Sequence, residues 1–343
     1  MGDKIKKSTF IIAEIGQAHD GSLGMAHAYI DALSETGVDA VKFQTHIAAA
    51  ESSIYEPFRI KFSQQDATRM DYWKRMEFTE GQWKGLKEHC EAAGMEFMSS
   101  PFSQAAVDLL EWLGMGRYKI GSGEVNNFLM LKKIAMTGKP IILSSGMSSY
   151  EELDAAVDFI RGYGNELSIL QCTTSYPTTA SNAGLNVIGA LKERYPDLTI
   201  GFSDHSGEIY AGLAAVSMGA EILEFHTVFD KRQFGPDTLS SLTIDEIKQV
   251  VKGIRYIDEA INHPVDKKDN AAFAGLKSIF EKSLAISRDM KKGEVLTFED
   301  LEAKKPAGKG ISARQYKRLI GKRLARDMEQ YSFINEEDID GET

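Results

Sequence analysis

The sequence predicts a (β/α)₈ barrel followed by a small β-rich domain, and three observations carry that expectation. Eight short apolar runs rich in strand-forming residues recur along the chain, and helix-like stretches follow most of them. The chain has 343 residues, which suits one barrel of about 250 residues with a smaller companion. After Asn262 the helical text gives way to short strand-like runs and turns.

In chain order the expected strands are Phe10–Glu14, Asp39–Gln44, Met95–Ser99, Arg117–Gly121, Pro140–Ser144, Leu167–Cys172, Leu198–Ser203 and Glu221–His226. Near-continuous apolar runs are what strands buried on both faces require. Helical patterns such as Leu23–Leu33 and Leu153–Ile160 supply the crossovers of parallel βα units. Eight such units favour a closed TIM barrel over an open sheet. The connection from Thr45 to Gly94 is about twice as long as the others. It carries Tyr55, Phe58, Phe62, Tyr72, Trp73 and Phe78, and is expected to be a structured insertion beside the barrel mouth.

The barrel is assigned to residues 1–262, a linker to 263–276 and the second domain to 277–341. Within that domain, Lys291-Lys292-Gly293-Glu294 reads as a turn between two β-like runs, and SARQYKRLIGK reads as helix-like.

Composition narrows the function classes. With 43% hydrophobic and 26% charged residues the chain resembles ordinary globular proteins. Forty basic against fifty acidic side chains give a net charge of -10, which argues against sequence-independent nucleic-acid binding. No segment approaches the ~20 apolar residues needed to cross a membrane. The stretch Met1–Lys7 leads into only a short apolar run and is not read as a signal peptide. Two cysteines, Cys90 and Cys172, make no disulfide framework and fit a reducing, cytoplasmic setting. An acidic chain that handles an anionic substrate must concentrate positive charge locally.

The strand ends offer that concentration. In a barrel, groups at the C-terminal strand ends face the catalytic mouth. Here they are Glu14, Lys42 and Gln44, Ser99 and Ser100, Lys119 with Ser122 and Glu124, Ser144 and Ser145, Thr173 and Thr174, Ser203 and His205, and Glu224 and His226. Lys42 and Lys119 are cations within buried-strand text, costly there unless paired. They are read as structurally paired with carboxylates, as a pair capturing a phosphate or carboxylate, or as a Schiff-base amine of an aldolase. Ser122, Ser144 and Ser203 would add neutral donors to the same anion.

His205 and His226 end adjacent strands, so the fold would bring them within reach of one ion. Two imidazoles with water and substrate oxygens suit a divalent cation with open positions, such as Mn²⁺; the alternative is two unrelated polar histidines. Glu14 and Glu124 directly follow apolar strands, where an acid in a partly desolvated mouth can act as a base or hold hydroxyls. His19, His46 and Asp237 fall in neighbouring loops. Gly121, Gly123, Gly146 and Gly201 are read as positions where backbone approaches a ligand, and Cys172 as barrel packing. No dinucleotide fingerprint or Walker loop is present.

The motifs AEIGQAHDGS (13–22), VKFQT (41–45), SSPFS (99–103), YKIGSGE (118–124), ILSSGM (142–147), QCTTSYP (171–177), GFSDHS (201–206), LEFHTVFD (223–230) and GPD (235–237) occur in this order. In sequence and order they resemble the sialic acid synthases, phosphoenolpyruvate-dependent nonulosonic acid synthases. KKGEVLTFEDLEAKKPAGKGIS resembles that family's antifreeze-like SAF domain. The resemblance implies condensation of phosphoenolpyruvate with the open-chain aldehyde of an N-acetylated hexosamine, N-acetylmannosamine first, releasing phosphate by C–O cleavage. It places Lys42, Lys119, Ser122, Ser144, Ser203, Gln44 and Ser100 around phosphoenolpyruvate. It implies His205 and His226 as ligands of a divalent metal, Mn²⁺ first with Mg²⁺ or Co²⁺ as alternatives, and Glu124 and Glu14 among the catalytic groups. Tyr176, Thr174, Asp237 and Lys305 fall on the sugar side. It also implies a homodimer with swapped SAF domains.

The chain departs from the family pattern at five positions, of which Thr174 and Lys305 touch the sugar side. Ala18 precedes His19 where Asn is common, Thr174 stands where Asn is frequent, Ser100 replaces Thr, Phe225 replaces Arg, and Lys305 rather than Arg precedes Pro306. Lys for Arg loses a bidentate fork. A legionaminic- or pseudaminic-type synthase using a 2,4-diacetamido-6-deoxyhexose is therefore the alternative reading. A pyruvate aldolase and a non-catalytic sugar-binding protein are the rivals from other classes.

Overall fold

The computed structural model describes residues 8–341, so Met1–Lys7 lie outside the described residues. The chain divides after His263 into two compact units. The first contains β1 (Phe10–Gly16), α1 (Leu23–Ser34), β2 (Ala40–Thr45), α2 (Ala48–Glu51), α3 (Arg69–Met76), α4 (Glu80–Ala92) and β3 (Glu96–Pro101). It continues with α5 (Gln104–Trp112), β4 (Tyr118–Ile120), α6 (Phe128–Ala135), β5 (Ile141–Ser144), α7 (Tyr150–Arg161), β6 (Leu167–Cys172) and α8 (Asn186–Arg194). β7 (Thr199–Asp204), α9 (Ile209–Ser217), β8 (Ile222–Val228), β9 (Ser241–Thr243) and α10 (Ile244–Asn262) complete it.

The first eight strands are parallel in the order β3-β2-β1-β8-β7-β6-β5-β4. β3 and β4 at the two ends of that order pack together, so the sheet curls into a nearly closed barrel. Each expected strand is found, with ends shifted by one or two residues. β8 runs on to Val228 because the short β9, unforeseen in the sequence, pairs with it from His226↔Ser241 to Val228↔Thr243. β4 stops at Ile120, where Gly121 turns the chain into the short 3₁₀ turn Ser122–Glu124.

The period-2 pleat explains how one strand serves both core and site. Outward-facing Ile11, Ala13, Val41, Phe43, Ile120 and Leu143 pack under the helices. The opposite face begins with an apolar plug of Ile12, Ala40, Met98, Ile142, Leu170 and Ile222. Two residues further on, the same face presents Glu14, Lys42, Ser100, Ser144, Cys172 and Glu224. Gly201 belongs to this plug. A Cβ there would lie 2.5 Å from the Ile222 carbonyl and 2.5 Å from Leu170 Cδ2. Its smallness therefore serves strand packing and not ligand approach, contrary to the expectation from sequence.

The long β2–β3 connection is structured, as expected. Thr68 and Asp71 form a capping box at α3, and Thr79 and Gln82 form one at α4. Ala48, Tyr72, Trp73 and Met76 pack with Phe58 and Phe62 into a cluster of their own.

The second unit holds α11 (Ala274–Phe280) and the antiparallel pair β10 (Ser283–Ile286) and β11 (Leu301–Lys304). Its core is Leu284, Ile286, Met290, Leu296, Ile311, Leu319, Leu324, Met328 and Ile334. α11 starts inside the stretch read as linker, and SARQYKRLIGK forms a 3₁₀ segment, Ala313–Arg318, instead of an α-helix. The Lys291–Glu294 turn is present, with Gly293 at φ +83. Both cysteines are free and buried. Among the described residues no helix is long and apolar enough to cross a membrane.

Candidate active site

The C-terminal strand ends and the loops beyond them enclose a cavity of about 510 Å³. It is lined by Glu14, Lys42, Gln44, Ser100, Lys119, Ser122, Glu124, Ser144, Thr174, Tyr176, Ser203, His205, His226 and Asp237, whereas the strand-end residues Ser99, Ser145 and Thr173 do not face it. Lys305 lies in the other unit, where its ammonium sits 4.9 Å from the centre of the Phe280 ring.

At the bottom of the cavity, two lysines and two carboxylates form one buried network. Lys42 Nζ lies 2.8 Å from Glu14 Oε1 and 3.5 Å from Glu224 Oε2, and donates to Ser100 Oγ at 3.3 Å. Lys119 Nζ and Ser203 Oγ both donate to Glu224 Oε1, at 2.9 and 2.8 Å. Gln44 Nε2 donates to Glu14 Oε1 at 2.7 Å. The carboxylate-pairing alternative for the lysines is thus realised.

Burial works to raise the Glu14 carboxyl, but the nearby His226, Lys42 and Lys119 outweigh it and hold the group well below the usual carboxylate range. Glu224 is likewise lowered, burial being overcome by Lys119 and Lys42. Burial alone would lower the Lys42 ammonium, yet Glu14 and Glu224 raise it above its ordinary value. A lysine held charged in this way is a poor Schiff-base nucleophile. Hydrogen bonding is incomplete here: the buried Ser144 Oγ has no partner, and Glu224 Oε2 has only its 3.5 Å ion pair with Lys42. Such orphans cost about 1–3 kcal/mol each unless something fills the space.

Next to this network stand the two histidines, with ring centres 5.4 Å apart. His205 Nδ1 lies 3.0 Å from the Thr173 carbonyl, which fixes its proton there and leaves Nε2 as an acceptor 3.2 Å from the Tyr176 hydroxyl. Burial and the neighbouring His226 push His205 down to about 4, so its imidazole is neutral near pH 7. His226 Nε2 lies 3.3 Å from Glu14 Oε2.

Two imidazoles beside a carboxylate fit a divalent cation that takes its other ligands from water and substrate. Among the described residues no group of three or more His, Cys, Asp or Glu side chains is arranged to hold an ion alone. The lining charges point the same way. Glu14, Glu51, Glu56, Glu124, Glu224 and Asp237 outnumber Lys42, Arg59, Arg69 and Lys119, so the protein alone gives the cavity an acidic surplus.

Across the cavity, Glu124 is raised above its ordinary value by burial, partly offset by the hydrogen bond that Asn127 Nδ2 donates to its Oε2 at 2.7 Å. Ser122 Oγ lies 3.2 Å from Cys172 Sγ and accepts from Gly146 N at 3.1 Å. A Cβ on Gly146 would fall within 2.6 Å of Thr174, Ser122 and Cys172, so its smallness makes room for these side chains. Cys172 therefore lines the cavity as well as packing the barrel.

Several lining residues were not singled out in the sequence. Arg59 lies over the Tyr176 ring at 4.2 Å and donates to Asp237 Oδ1 at 2.6 Å. Arg69, Trp73, Glu56 and Phe102 also face the cavity. His46 lines it too, 2.7 Å from Glu51 Oε1, whereas His19 is buried between Phe43 and Phe78 and does not. The usable signal was the interleaving of arginines with aromatics between Tyr55 and Trp73.

Comparison with known proteins places this geometry. The NeuB family model matches residues 29–266. The chain belongs to the NeuB family. Its second unit matches the SAF domain over residues 281–339. This NeuB-family chain is 34% identical to the N,N'-diacetyllegionaminic acid synthase of Campylobacter jejuni, across 96% of the chain and 100% of that protein. It is 31% identical to human N-acetylneuraminate-9-phosphate synthase, across 96% and 92%. Among solved structures it resembles the N-acetylneuraminic acid synthetase of Leptospira borgpetersenii, with TM-score 0.69, 28% identity, and coverage of 80% and 93%. It is a condensing transferase of the sialic acid synthase kind.

Proposed function

We propose that this NeuB-family enzyme condenses phosphoenolpyruvate with the open-chain aldehyde of an N-acylated hexosamine, giving a nonulosonic acid and phosphate. N-acetylmannosamine is the first acceptor to test. The observation that carries the reading is the convergence of Lys42, Lys119 and the unsatisfied Ser144 hydroxyl beside the His205–His226 pair in one cavity.

Two ammonium groups that converge on Glu224, with Ser122, Ser144 and Ser203, suit the carboxylate and phosphate of the enol substrate. Lys42 and Lys119 arrive already charge-balanced by Glu14 and Glu224, so they are rigidly aimed before substrate enters. C3 of the enol attacks the aldehyde carbon, whose oxygen takes up a proton to become a hydroxyl of the product, and a water oxygen adds to C2. The resulting tetrahedral centre expels phosphate by breaking the C2–O bond, which leaves the 2-keto acid. Glu124, held basic by burial, accepts the proton of that water. Tyr176, Thr174 and Asp237 orient the sugar.

His205 and His226 would hold a divalent metal, Mn²⁺ first, which when bound supplies Lewis-acid polarisation of the sugar carbonyl. The family resemblance further suggests a homodimer in which Lys305 of one SAF domain serves the partner's sugar site; light scattering tests the dimer.

A phosphate-release assay with phosphoenolpyruvate, Mn²⁺ and N-acetylmannosamine tests the reaction, with 2,4-diacetamido-6-deoxyhexoses as the second acceptor class. Absence of phosphate and product with every acceptor overturns the reading.

A further inference from the structure

His46 lines the cavity, yet the condensation described above gives it no task. It directly follows β2 and is 4% exposed. Its ring lies between Trp73 and Phe102, 3.8 and 4.7 Å from their centres and tilted by 20° and 11°. That stacking leaves the two ring nitrogens to act, and each meets an oxygen. Nδ1 lies 2.7 Å from Glu51 Oε1, and Nε2 lies 3.2 Å from Gln44 Oε1. Ile47 N donates to the other Glu51 oxygen at 3.3 Å.

The rest of the network dictates that Gln44 turns its oxygen toward His46. Gln44 Nε2 donates to Glu14 Oε1 at 2.7 Å, and the ionised Glu14 can only accept. The Tyr72 hydroxyl donates to Gln17 Oε1 at 2.6 Å, so Gln17 donates through Nε2 to Gln44 Oε1 at 3.2 Å. Turning the Gln44 amide over would set oxygen against oxygen at Glu14 and nitrogen against nitrogen at Gln17. Both His46 contacts are hydrogen bonds only while both ring nitrogens carry hydrogen. When one hydrogen leaves, the Glu51 carboxylate keeps the other on Nδ1. A bare Nε2 lone pair then faces the Gln44 oxygen and repels it.

We propose that His46 is a positioning residue: doubly protonated, it fixes the Gln44 amide and, through it, the Glu14 carboxylate that balances Lys42. This inference rests on the synthase reading given above. Other charges surround the pair. Glu77, Glu80 and Asp108 line a second groove that His46 also reaches. Arg69 stacks on Trp73 and lies 3.5 Å from Glu56. Glu124, raised by burial above all, also feels Glu51. His19 is pushed down to about 3, by burial first and then by His46 and Arg75, so it stays neutral.

The test is the pH profile of kcat/KM for phosphoenolpyruvate in the full-length Mn²⁺-loaded enzyme, with the acceptor that releases phosphate fastest. The proteins are wild type, H46F, H46Q and E51Q. H46F keeps a stacking ring without donors, and its plateau should fall at least about tenfold, as loss of a buried hydrogen bond predicts. H46Q brings an amide that donates to the Gln44 oxygen at any pH, so it should recover most of that loss and lack the basic limb of wild type. E51Q can donate to Nδ1, which lets a neutral ring keep its hydrogen on Nε2, and should carry activity to higher pH. Its effect on Glu124 falls on the acid limb and leaves the basic one as the readout. In the metal-free enzyme, long-range proton–nitrogen NMR, with His46 assigned by its absence from H46Q, should show Nε2 and not Nδ1 giving up hydrogen across that limb. H46Q at about a tenth of wild type or less, a basic limb unmoved in E51Q, or a His46 ring unchanged with pH overturns the inference and leaves the synthase reading standing. Wild type that turns over no acceptor overturns both, and so is distinguishable.

Discussion

Lys119 and Glu224, on strands β4 and β8 and 105 residues apart in sequence, meet through a 2.9 Å contact from Nζ to Oε1, both side chains at most 3% exposed. Charges this deep are retained only when paired, because removing one partner strands the other. Glu224→Gln leaves Lys42 and Lys119 with Glu14 as their sole nearby counter-charge. The variant should lose about 3–5 kcal/mol of stability in urea unfolding. Phosphoenolpyruvate should then raise its melting temperature by more than it raises that of wild type, because the ligand restores the missing negative charge. Equal stability of variant and wild type would refute this.

On the proposed mechanism, Glu124 should set the acid limb of activity. Burial raises its carboxyl, so the proton is gained as pH falls through a value above the ordinary 4.5, and the base is lost earlier than for an exposed glutamate. The kcat/KM profile should show an acid limb above pH 4.5. Glu124→Gln should remove that limb and lower kcat by about 10²–10⁴-fold at its plateau. An unchanged limb in the variant would assign it to another group.

Chelation should abolish phosphate release, and Mn²⁺ should restore it. His205→Asn and His226→Asn should each weaken Mn²⁺ binding, followed by electron paramagnetic resonance of the free ion. Binding that survives both substitutions would place the metal elsewhere.

In the SAF domain, burial favours the neutral Asp300 carboxyl, but donation from Thr297 N, Thr297 Oγ1 and Arg288 Nε brings it below its ordinary value. The folded-state value being the lower one, this contribution is present above the unfolded value near 3.8 and disappears as pH falls through the folded one. Asp300→Asn should destabilise the domain by about 1–3 kcal/mol at pH 7. The gap from wild type should close in strongly acid solution; a gap independent of pH would contradict this.

Most of this site was legible in sequence for one reason. A buried strand ending in Lys, Glu or His breaks its own pattern, so Glu14, Lys42, Lys119, Glu224 and His226 announced themselves. The plug residue Gly201 was misread because a glycine in a strand has the same spelling whether it spares room for a ligand or for Leu170 and Ile222. Arg59 and Arg69 escaped notice because nothing in the connection between β2 and β3 repeats with a regular period. A charge in such text looks like any solvated one until the fold turns it inward. Glu14 meets Lys42 across neighbouring strands, but Glu224 lies far along the chain from both lysines, and only the barrel brings it to them.

The apolar plug of Ile12, Ala40, Met98, Ile142, Leu170 and Ile222 makes the barrel a blind well with one mouth. On the proposed reaction, a ligand at the lysines would have to arrive before the molecule above it and leave after it. The floor of the well would then set the order of addition.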